Sequence, residues 1–395
     1  MDATSLSQTY QLLALCARVE RHASFDEQLT ALLRDFSAWD TLPAQAERHG
    51  LGPLLWYHLR EAPIPVHTRR ALQGLYLRER ALTQIHTQTL LDTLEILDRR
   101  NMRPFVLKGL ALAWQVYPDP ALRPVSDLDL FLPKEHILPA MTALQAAGYQ
   151  FQSFSSGAVH LPKGISGQAP LRQGVSVQIE LHHYDPTHRV LNDYSPDDEF
   201  RDFTEPPLRL TIAGGYVYTT APLDTLHYLM RHFVRHLFDS RLNRPISFKW
   251  MADMIGCVEK WAPALDWKTL LQRDPLFLKR LSVLYSLGPA PDGLATLLSL
   301  KSPAPMGRLG QYPQGWPQWP FPNWRQVGFW RYVGMTFAPP PEWWLRLYYG
   351  LDEGSVFWHA HVGYRLRLVH LMSWALFRRL FSLSHILFPD FSASS

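Results

Sequence analysis

The sequence predicts an α+β fold in which a small mixed sheet lies between two helical regions. Apolar residues recur at helical spacing over residues 5–99 and again after residue 218. Between these regions, short apolar or alternating segments are separated by helical ones. Strand, helix, strand and helix followed by a run of strands are typical of an α/β unit built on a mixed sheet.

Residues 1–100 are predicted to form an N-terminal helical region. Asp26 or Ser24 is expected to cap a helix that ends near Phe36, because short polar side chains accept hydrogen bonds from the free amides at a helix start. Residues 69–99 contain no proline and carry leucines at helical spacing. This pattern predicts one long helix.

Residues 101–218 contain the predicted α/β core. The expected strands are residues 104–107, 128–132, 149–154, 158–163 and 175–181. The expected helices are residues 110–117 and 134–147. Gly148 stands where a helix end needs a left-handed residue.

Two further parts are expected after the core. Residues 219–300 should form a helical subdomain, with the strongest periodicity over 222–237 and 247–260. Residues 301–395 are rich in tryptophan and proline and should end in an amphipathic helix. Such dense tryptophans are typical of packing anchors, and a stacking platform for bases or sugars is the alternative.

Composition places the chain among soluble globular proteins. It has 395 residues, of which 47% are hydrophobic and 19% are charged. The net charge of +4 favours a phosphorylated ligand but is too small for a dedicated nucleic-acid protein. Only Cys16 and Cys257 are present, which argues against a disulfide framework and favours a cytoplasmic location.

Neither end of the sequence predicts a membrane-spanning segment. Residues 1–25 lack a basic stretch before their apolar run, so an amphipathic helix is expected rather than a signal peptide. Residues 366–388 are apolar but are interrupted by Arg378 and Arg379. A C-terminal helix docked on the protein is the preferred interpretation, and peripheral membrane contact through that helix is the alternative.

Three acidic residues form the most informative pattern. Asp127 and Asp129 are separated by one residue on a predicted strand, so both carboxylates should project from the same face. Two carboxylates this close repel, and a divalent cation is the usual counter-charge. Glu180 lies on another alternating strand, which could bring it to that face. The sequence therefore predicts that these carboxylates hold Mg²⁺ or Mn²⁺, which would act on a nucleoside triphosphate.

Lys108 and Gly109 predict a phosphate site beside these acids. Gly109 begins a helix directly after a strand, and the absence of a Cβ allows a phosphate to approach free backbone N–H groups. Lys108 and Arg123 are candidates to neutralise phosphate charge. The sequence has neither a GxxxxGK[ST] P-loop nor a GxGxxG motif, which leaves kinase-like and Rossmann interpretations without support.

A resemblance to a known family is carried by the segments VLKGLAL, YPDPALRPVSDLDLFLP and IELHH. These segments resemble the uncharacterised nucleotidyltransferase family of the DNA polymerase β superfamily. The resemblance covers residues 101–379 and continues into LDTLHYLMRHFVRH, FKWMADM and PPPEWWLRLYYGL. It implies a polymerase-β-like nucleotidyltransferase core, with the helical subdomain closing over the nucleotide. Asp127, Asp129 and Glu180 would be the catalytic, metal-binding carboxylates, with Glu180 nearest the attacking hydroxyl.

The sequence departs from the wider superfamily at one position. That superfamily favours a serine after the glycine of the helix start, and Leu110 stands in its place here. Lys108 or Ser126 would compensate for the missing hydroxyl. The alternatives are that the triphosphate lies differently or that activity has been lost.

Further candidates for nucleotide contact lie on other elements. The residues expected to bind nucleotide are Lys108, Gly109, Arg123, Ser126, His182, His232 and Lys249. His182 lies two residues after the predicted glutamate ligand and shares its face, where it would orient a carboxylate or contact a phosphate, and a structural role at the strand edge is the alternative. His232 and His236 stand four residues apart on a helix, so a zinc pair or ordinary hydrogen-bonded histidines are alternatives. Lys249 is likewise four residues from Asp253, and an ion pair is its alternative role.

The predicted function is metal-dependent transfer of a nucleoside monophosphate from a nucleoside triphosphate to an unidentified acceptor, with release of pyrophosphate. A catalytically inactive nucleotide-binding or scaffold protein with the same fold is the first alternative. A tRNA-modifying or toxin-like nucleotidyltransferase is the second, and a steep salt dependence of tRNA binding would identify it. The acceptor, whether small molecule, protein or RNA, is not specified by the sequence.

Overall fold

A computed structural model describes most of the chain. The described residues are 3–151, 164–184, 205–236, 247–297 and 342–350, with the separate residues 328, 330, 331, 362, 363, 365, 366, 369 and 373. The chain forms two compact units, Met1–Trp319 and Pro320–Ser395. The division into four parts made from the sequence stays a prediction.

The N-terminal helical region consists of five helices. They are α1 (Ala3–Leu15), α2 (Ala23–Arg34), α3 (Leu42–Arg48), α4 (Gly52–Leu59) and α5 (Val66–Asp98). The prediction of one long helix is confirmed by α5. The predicted cap of α2 is wrong, because the helix begins at Ala23 after an extended His22 that makes no side-chain cap hydrogen bond. The backbone amides of Phe25 and Asp26 donate to the His22 carbonyl, and the Asp26 carboxylate is bonded to Arg21.

A mixed sheet forms the core that follows. Its strands are β1 (Phe105–Val106), β2 (Asp127–Pro133), β3 (Gln150–Phe151), β4 (Gly164–Gln168), β5 (Gln178–Tyr184), β6 (Leu208–Ile212) and β7 (Gly215–Thr219). Their order is β3-β4-β5-β2-β1-β7-β6. The pairs β2–β5 and β1–β7 are parallel and the other pairs are antiparallel, which confirms the predicted α+β fold with a mixed sheet.

Some predicted strands differ from the observed ones. The strand expected at 158–163 falls outside the described residues, and of the strand expected at 149–154 the structure shows β3. The β6–β7 hairpin was not predicted. Its two-residue turn places Ala213 at φ 43° and Gly214 at φ 86°, the left-handed conformation that such tight hairpins require. The alternating segments on both sides of this Ala-Gly pair were the sequence signal for it.

Two helices pack on the sheet, one connecting β1 to β2 and the other connecting β2 to β3. They are α6 (Gly109–Val116) and α7 (Ile137–Ala146). Gly148 has φ 90° and closes α7 as predicted. Along β2, Leu128, Leu130 and Leu132 enter a core shared with α5, α6, α7 and β5. Because side chains alternate along a strand, the aspartates of β2 project from the opposite face.

A second helical layer follows the sheet. It contains α8 (Pro222–His236), α9 (Phe248–Trp261), α10 (Trp267–Arg273), α11 (Phe277–Tyr285) and α12 (Asp292–Leu297). The helices predicted at 222–237 and 247–260 are confirmed by α8 and α9. At Gly256 a Cβ would lie 2.7 Å from Val19 Cγ2 and 3.2 Å from Val116 Cγ1. This glycine therefore lets α9 approach both the N-terminal layer and α6 closely.

The second unit is described over one helix, α13 (Glu342–Tyr349). Trp344 is buried there and stacks on Tyr348 with ring centroids 4.7 Å apart. Most of the remaining tryptophan- and proline-rich segment, and most of residues 366–388, lie outside the described residues. In the part of the chain that the structure describes, no helix has the length and apolar character needed to cross a bilayer.

Buried His58 gives the fold a specific dependence on pH. The side chain is 1% exposed and its Nε2 lies 2.9 Å from the Arg18 carbonyl oxygen. Burial lowers the pKa of His58 to about 4. The unfolded chain therefore binds a proton that the folded chain excludes, and stability is lost as the pH falls from about 6.5 towards 4.

We expect wild type to lose about 2 kcal/mol more unfolding free energy than His58→Gln between pH 7.5 and pH 5. Urea denaturation of both proteins at the two pH values measures this difference. Glu259, whose pKa burial raises to about 7, titrates in both proteins, so its contribution cancels in the comparison. Parallel pH profiles would contradict this prediction, because they would show that His58 has the same pKa in the folded and unfolded chains.

Candidate active site

The pairing of β2 with β5 brings the predicted acidic residues together. The two strands are parallel, with Asp129 opposite Glu180 and Asp127 opposite Gln178. Residues in register on neighbouring strands project from the same face of the sheet. Asp127, Asp129 and Glu180 therefore share one face, as the sequence hypothesis requires.

Asp129 is the most buried of the three acidic residues on this face. Its side chain is 1% exposed, and its Oδ1 lies 3.2 Å from Lys108 Nζ and 2.9 Å from His182 Nε2. Burial acts to raise the pKa of Asp129, but the Lys108 ammonium and the His182 hydrogen bond outweigh burial and lower the pKa to about 2. The second oxygen, Oδ2, is buried and has no hydrogen-bond partner among the described residues. An ionised carboxylate with one uncommitted oxygen is well suited to bind a cation.

Lys108 and Gly109 form a strained turn between β1 and α6. Lys108 has φ 35° and Gly109 has φ 38°, and a non-glycine residue with this φ is uncommon. Burial acts against the charged ammonium of Lys108, but the Asp129 carboxylate outweighs burial and raises the pKa. The ammonium predicted to meet phosphate thus bonds to Asp129. A Cβ on Gly109 would lie 3.5 Å from the Asp127 carbonyl oxygen, so this turn packs against the start of β2.

A group able to hold a metal ion lies at the centre of this face. Donor atoms of Asp129, Glu180 and His182 all lie within 4.8 Å of one another. Gln178 Nε2 donates to Glu180 Oε1 at 2.8 Å, and His182 Nε2 lies 3.6 Å from Glu180 Oε2. Carboxylate and imidazole donors, together with the uncommitted Oδ2 of Asp129, fit a divalent cation.

This group differs from the carboxylate triad expected from the sequence. It includes His182, which was predicted to contact nucleotide, and it does not include Asp127. Asp127 is half-buried, and its Oδ1 accepts a hydrogen bond from Ser126 Oγ at 3.0 Å. The role of Asp127 as a metal ligand stays a prediction.

Arg123 and Lys249 are held by other parts of the protein. The Arg123 guanidinium is 4% exposed and bonds to both carboxylate oxygens of Asp253 at 2.7 Å. Tyr117 donates to the same carboxylate at 2.8 Å. Asp253 therefore pairs with Arg123 and not, as the sequence alternative had it, with Lys249. Lys249 Nζ donates instead to the Pro124 carbonyl oxygen at 3.1 Å.

The charge state of Lys249 is unusual for a lysine. Burial, followed by the nearby Arg123 charge, lowers the pKa of Lys249 from 10.5 to about 8. Its ammonium therefore loses its proton closer to neutral pH than that of an ordinary lysine, although it stays mostly charged at pH 7. Contact of Lys249 or Arg123 with nucleotide stays a prediction, and the bidentate contact of Arg123 favours a positioning role for that residue.

His232 lies in an aromatic cluster formed by α8 and α9. Its ring stacks on Tyr228 at 5.7 Å and lies edge-on to His236 at 4.3 Å and to Trp250 at 5.9 Å. Burial, reinforced by the Lys108 charge, lowers the pKa of His232 well below its ordinary value. The ring is therefore neutral. Within the described residues, the group able to hold a metal contains neither His232 nor His236, so the zinc pair finds no support.

Sequence reasoning missed Glu79, which the structure places next to the site. Glu79 belongs to α5 and is 5% exposed, and its Oε1 accepts a hydrogen bond from the Val125 amide at 3.2 Å. Burial raises the pKa of this carboxyl. In the sequence it stands between arginines on a long helix, a pattern typical of a solvated surface, so no local signal marked it.

Nucleotidyltransferases are the class to which this fold and its acidic sheet face point. The family model described as "Uncharacterised nucleotidyltransferase" matches residues 35–281. The chain belongs to this family, and its activity class is nucleotidyl transfer. The match begins within the N-terminal helical region, upstream of the segments that carried the resemblance, and ends before the C-terminal ones.

Comparison with solved structures returned nucleotidyltransferases at low similarity. ANT(2")-Ia in complex with adenylyl-2"-tobramycin has 14% identity and a TM-score of 0.33, over 50% of this chain and 99% of that chain. The solution structure of the antibiotic-resistance factor ANT(2'')-Ia has 14% identity and a TM-score of 0.32, over 51% and 95%. An antigenic nucleotidyltransferase-like protein from Paracoccidioides brasiliensis has 16% identity and a TM-score of 0.29, over 58% and 93%. No curated protein gave a significant match.

Proposed function

We propose that the protein transfers a nucleoside monophosphate from a nucleoside triphosphate to an acceptor, with release of pyrophosphate and with Mg²⁺ or Mn²⁺ as cofactor. One observation carries this proposal. The parallel register of β2 and β5 places the ionised Asp129, with its uncommitted Oδ2, beside Glu180. Nucleotidyl transfer needs such a site, because the triphosphate brings several negative charges to a single position.

In the proposed reaction, an acceptor oxygen forms a bond to the α-phosphorus, the bond from that phosphorus to the β-phosphate bridging oxygen breaks, and pyrophosphate leaves. A divalent cation held by Asp129, Glu180 and His182 would supply charge neutralisation and would lower the pKa of the attacking hydroxyl. Lys108 keeps Asp129 ionised for this role. The backbone N–H groups at the Gly109 end of α6 would receive phosphate oxygens, because the first amides of a helix have no partner within it.

A second candidate is an inactive protein that binds nucleotide or acts as a scaffold. Leu110, in the position of the expected serine, is 1% exposed and belongs to the core beneath α6. The groups expected to replace the hydroxyl are engaged, because Lys108 bonds to Asp129 and Ser126 donates to Asp127. The start of α6 therefore offers no side-chain hydroxyl to the terminal phosphates. This arrangement supports the second candidate.

Metal removal tests the proposed function directly. We expect an α-labelled nucleoside triphosphate, incubated with the protein and a cell extract, to label an acceptor in the presence of Mg²⁺ or Mn²⁺. EDTA should abolish the labelling, because the ionised carboxylates alone repel the triphosphate, and excess Mn²⁺ should restore it. Labelling that persists in EDTA would contradict the proposal.

The labelling assay, together with binding measurements, separates the alternative functions. Nucleotide binding in calorimetry without labelling of any acceptor would favour the inactive protein. Transfer to purified tRNA, with binding that weakens steeply as salt increases, would identify the tRNA-modifying or toxin-like enzyme. Transfer to a small molecule or a protein would identify the acceptor class when the labelled product is separated by size.

A further inference from the structure

We propose that Glu79, Lys249 and Asp253 form a clamp that positions the connector leading into β2, and through it the site. The connector is residues 123–126, between the turn that follows α6 and the first residue of β2. This inference rests on the proposed function, since it assigns positioning roles for the same reaction. None of the three clamp residues belongs to the group that could hold a metal.

The clamp acts on three consecutive connector residues. The Arg123 guanidinium bonds to Asp253 at 2.7 Å through two nitrogens. The Pro124 carbonyl accepts from Lys249 Nζ at 3.1 Å, and the Val125 amide donates to Glu79 Oε1 at 3.2 Å. A side chain, a carbonyl and an amide are thus each held by a different residue. Contacts with both α5 and α9 leave the connector little freedom to shift.

The connector in turn contacts both the turn at Gly109, where α6 begins, and Asp127, where β2 begins. Val125 Cγ1 lies 3.8 Å from the position that a Cβ on Gly109 would occupy, so Val125 supports the strained turn at the start of α6. Ser126 Oγ donates to Asp127 Oδ1 at 3.0 Å and sets the orientation of that carboxylate. Displacement of the connector would therefore move the phosphate-side turn and the first aspartate together.

Two of the three clamp contacts, Arg123 with Asp253 and the Val125 amide with Glu79, are strong because they are buried. Arg123 and Asp253 expose 4% and 3% of their side chains, and Glu79 is 5% exposed. Charge-assisted hydrogen bonds in such surroundings are stronger and more directional than those at a surface. Nucleotidyl transfer depends on alignment of the attacking and leaving oxygens, and a displacement of about 1 Å can cost about a hundredfold in rate.

The clamp also explains how the N-terminal helices contribute to the site. Ser247 Oγ donates to the His49 carbonyl at 2.7 Å, and the Lys249 amide donates to the same oxygen at 3.2 Å. A Cβ on Gly50 would lie 3.2 Å from Lys249 Cδ, so the lysine stem packs directly on the α3–α4 turn. The N-terminal layer thus places the first turn of α9, and α9 places the connector.

Two substitutions at Glu79 test the clamp. Glu79→Gln keeps an oxygen that accepts from the Val125 amide, whereas Glu79→Met removes the acceptor at similar size. We expect Glu79→Met to lower kcat about tenfold to a hundredfold, with KM for the triphosphate and Mn²⁺ affinity changed less than about threefold. Glu79→Gln should stay within about threefold of wild type in kcat. Equal kcat for wild type and Glu79→Met, or equal losses for both variants, would overturn the proposal.

Hydrogen exchange provides a readout that does not depend on catalysis. In Glu79→Met, amide exchange should accelerate about tenfold or more in peptides covering 105–112 and 123–130, while the β6–β7 hairpin keeps its wild-type rate. Glu79→Gln should exchange like wild type throughout. Unchanged exchange over 105–112 in Glu79→Met would overturn the clamp even if the protein transferred no nucleotide. A failure of the proposed function is recognised separately, by the absence of transfer in wild type.

Discussion

Asp129→Asn is expected to lower the rate of nucleotidyl transfer on the order of a thousandfold. The substitution removes the buried charge that the structure places between Lys108 and His182. Loss of a cation ligand should remove several kcal/mol of transition-state stabilisation, and each factor of ten in rate corresponds to about 1.4 kcal/mol. Mn²⁺ affinity, measured by electron paramagnetic resonance on the protein without nucleotide, should fall in parallel with kcat.

The control for Asp129→Asn is Asp98→Asn, which changes an exposed carboxylate at the end of α5. This control should keep wild-type kcat and Mn²⁺ affinity. Asp127→Asn is also expected to abolish turnover if Asp127 serves as the second aspartate ligand. The assignment of the site would be wrong if a folded Asp129→Asn protein transferred nucleotide at the wild-type rate.

Asp253→Ala is expected to lower the free energy of unfolding by about 3–5 kcal/mol. Arg123 is buried, and the substitution would leave its guanidinium without the carboxylate that neutralises it. Tyr117 would lose its hydrogen-bond acceptor at the same time. Denaturation in urea, followed by circular dichroism, measures the loss.

The double variant Arg123→Met with Asp253→Leu separates the charge effect from simple loss of packing. Replacing both partners removes the uncompensated buried charge, so we expect most of the lost stability to return. A single variant that costs less than about 1 kcal/mol would contradict the view that this pair joins α9 to the connector. If the double variant is as unstable as Asp253→Ala, the loss of unfolding free energy comes from packing and not from the unpaired charge.

Local patterns in the sequence were sufficient to predict most of the elements. The long α5 follows from leucines at helical spacing in a segment without proline, and the end of α7 follows from Gly148. The strand β2 was predicted because its apolar residues alternate with acids. These signals are local, because the period of a helix or strand is set by the conformation of neighbouring residues.

The face shared by the acidic residues could be predicted only in part. Alternation along β2 places Asp127 and Asp129 on one side, whatever the partner strand is. That Glu180 lies beside Asp129 depends on the parallel register of β2 and β5, because a shift of one residue would turn its carboxylate to the opposite face. The same register adds His182 to the group, a role that the spacing of IELHH does not reveal.

The sequence alone was enough to predict the long helices, the strand β2 with its buried leucines, and the common face of Asp127 and Asp129. Only the tertiary structure decided which side chains meet. Asp253 binds Arg123 rather than the lysine one turn away, and Glu79 accepts from Val125, across separations of 130 and 46 residues. Such partners are chosen by how whole layers pack, since a buried charge or amide is stable only where the completed fold supplies its counterpart.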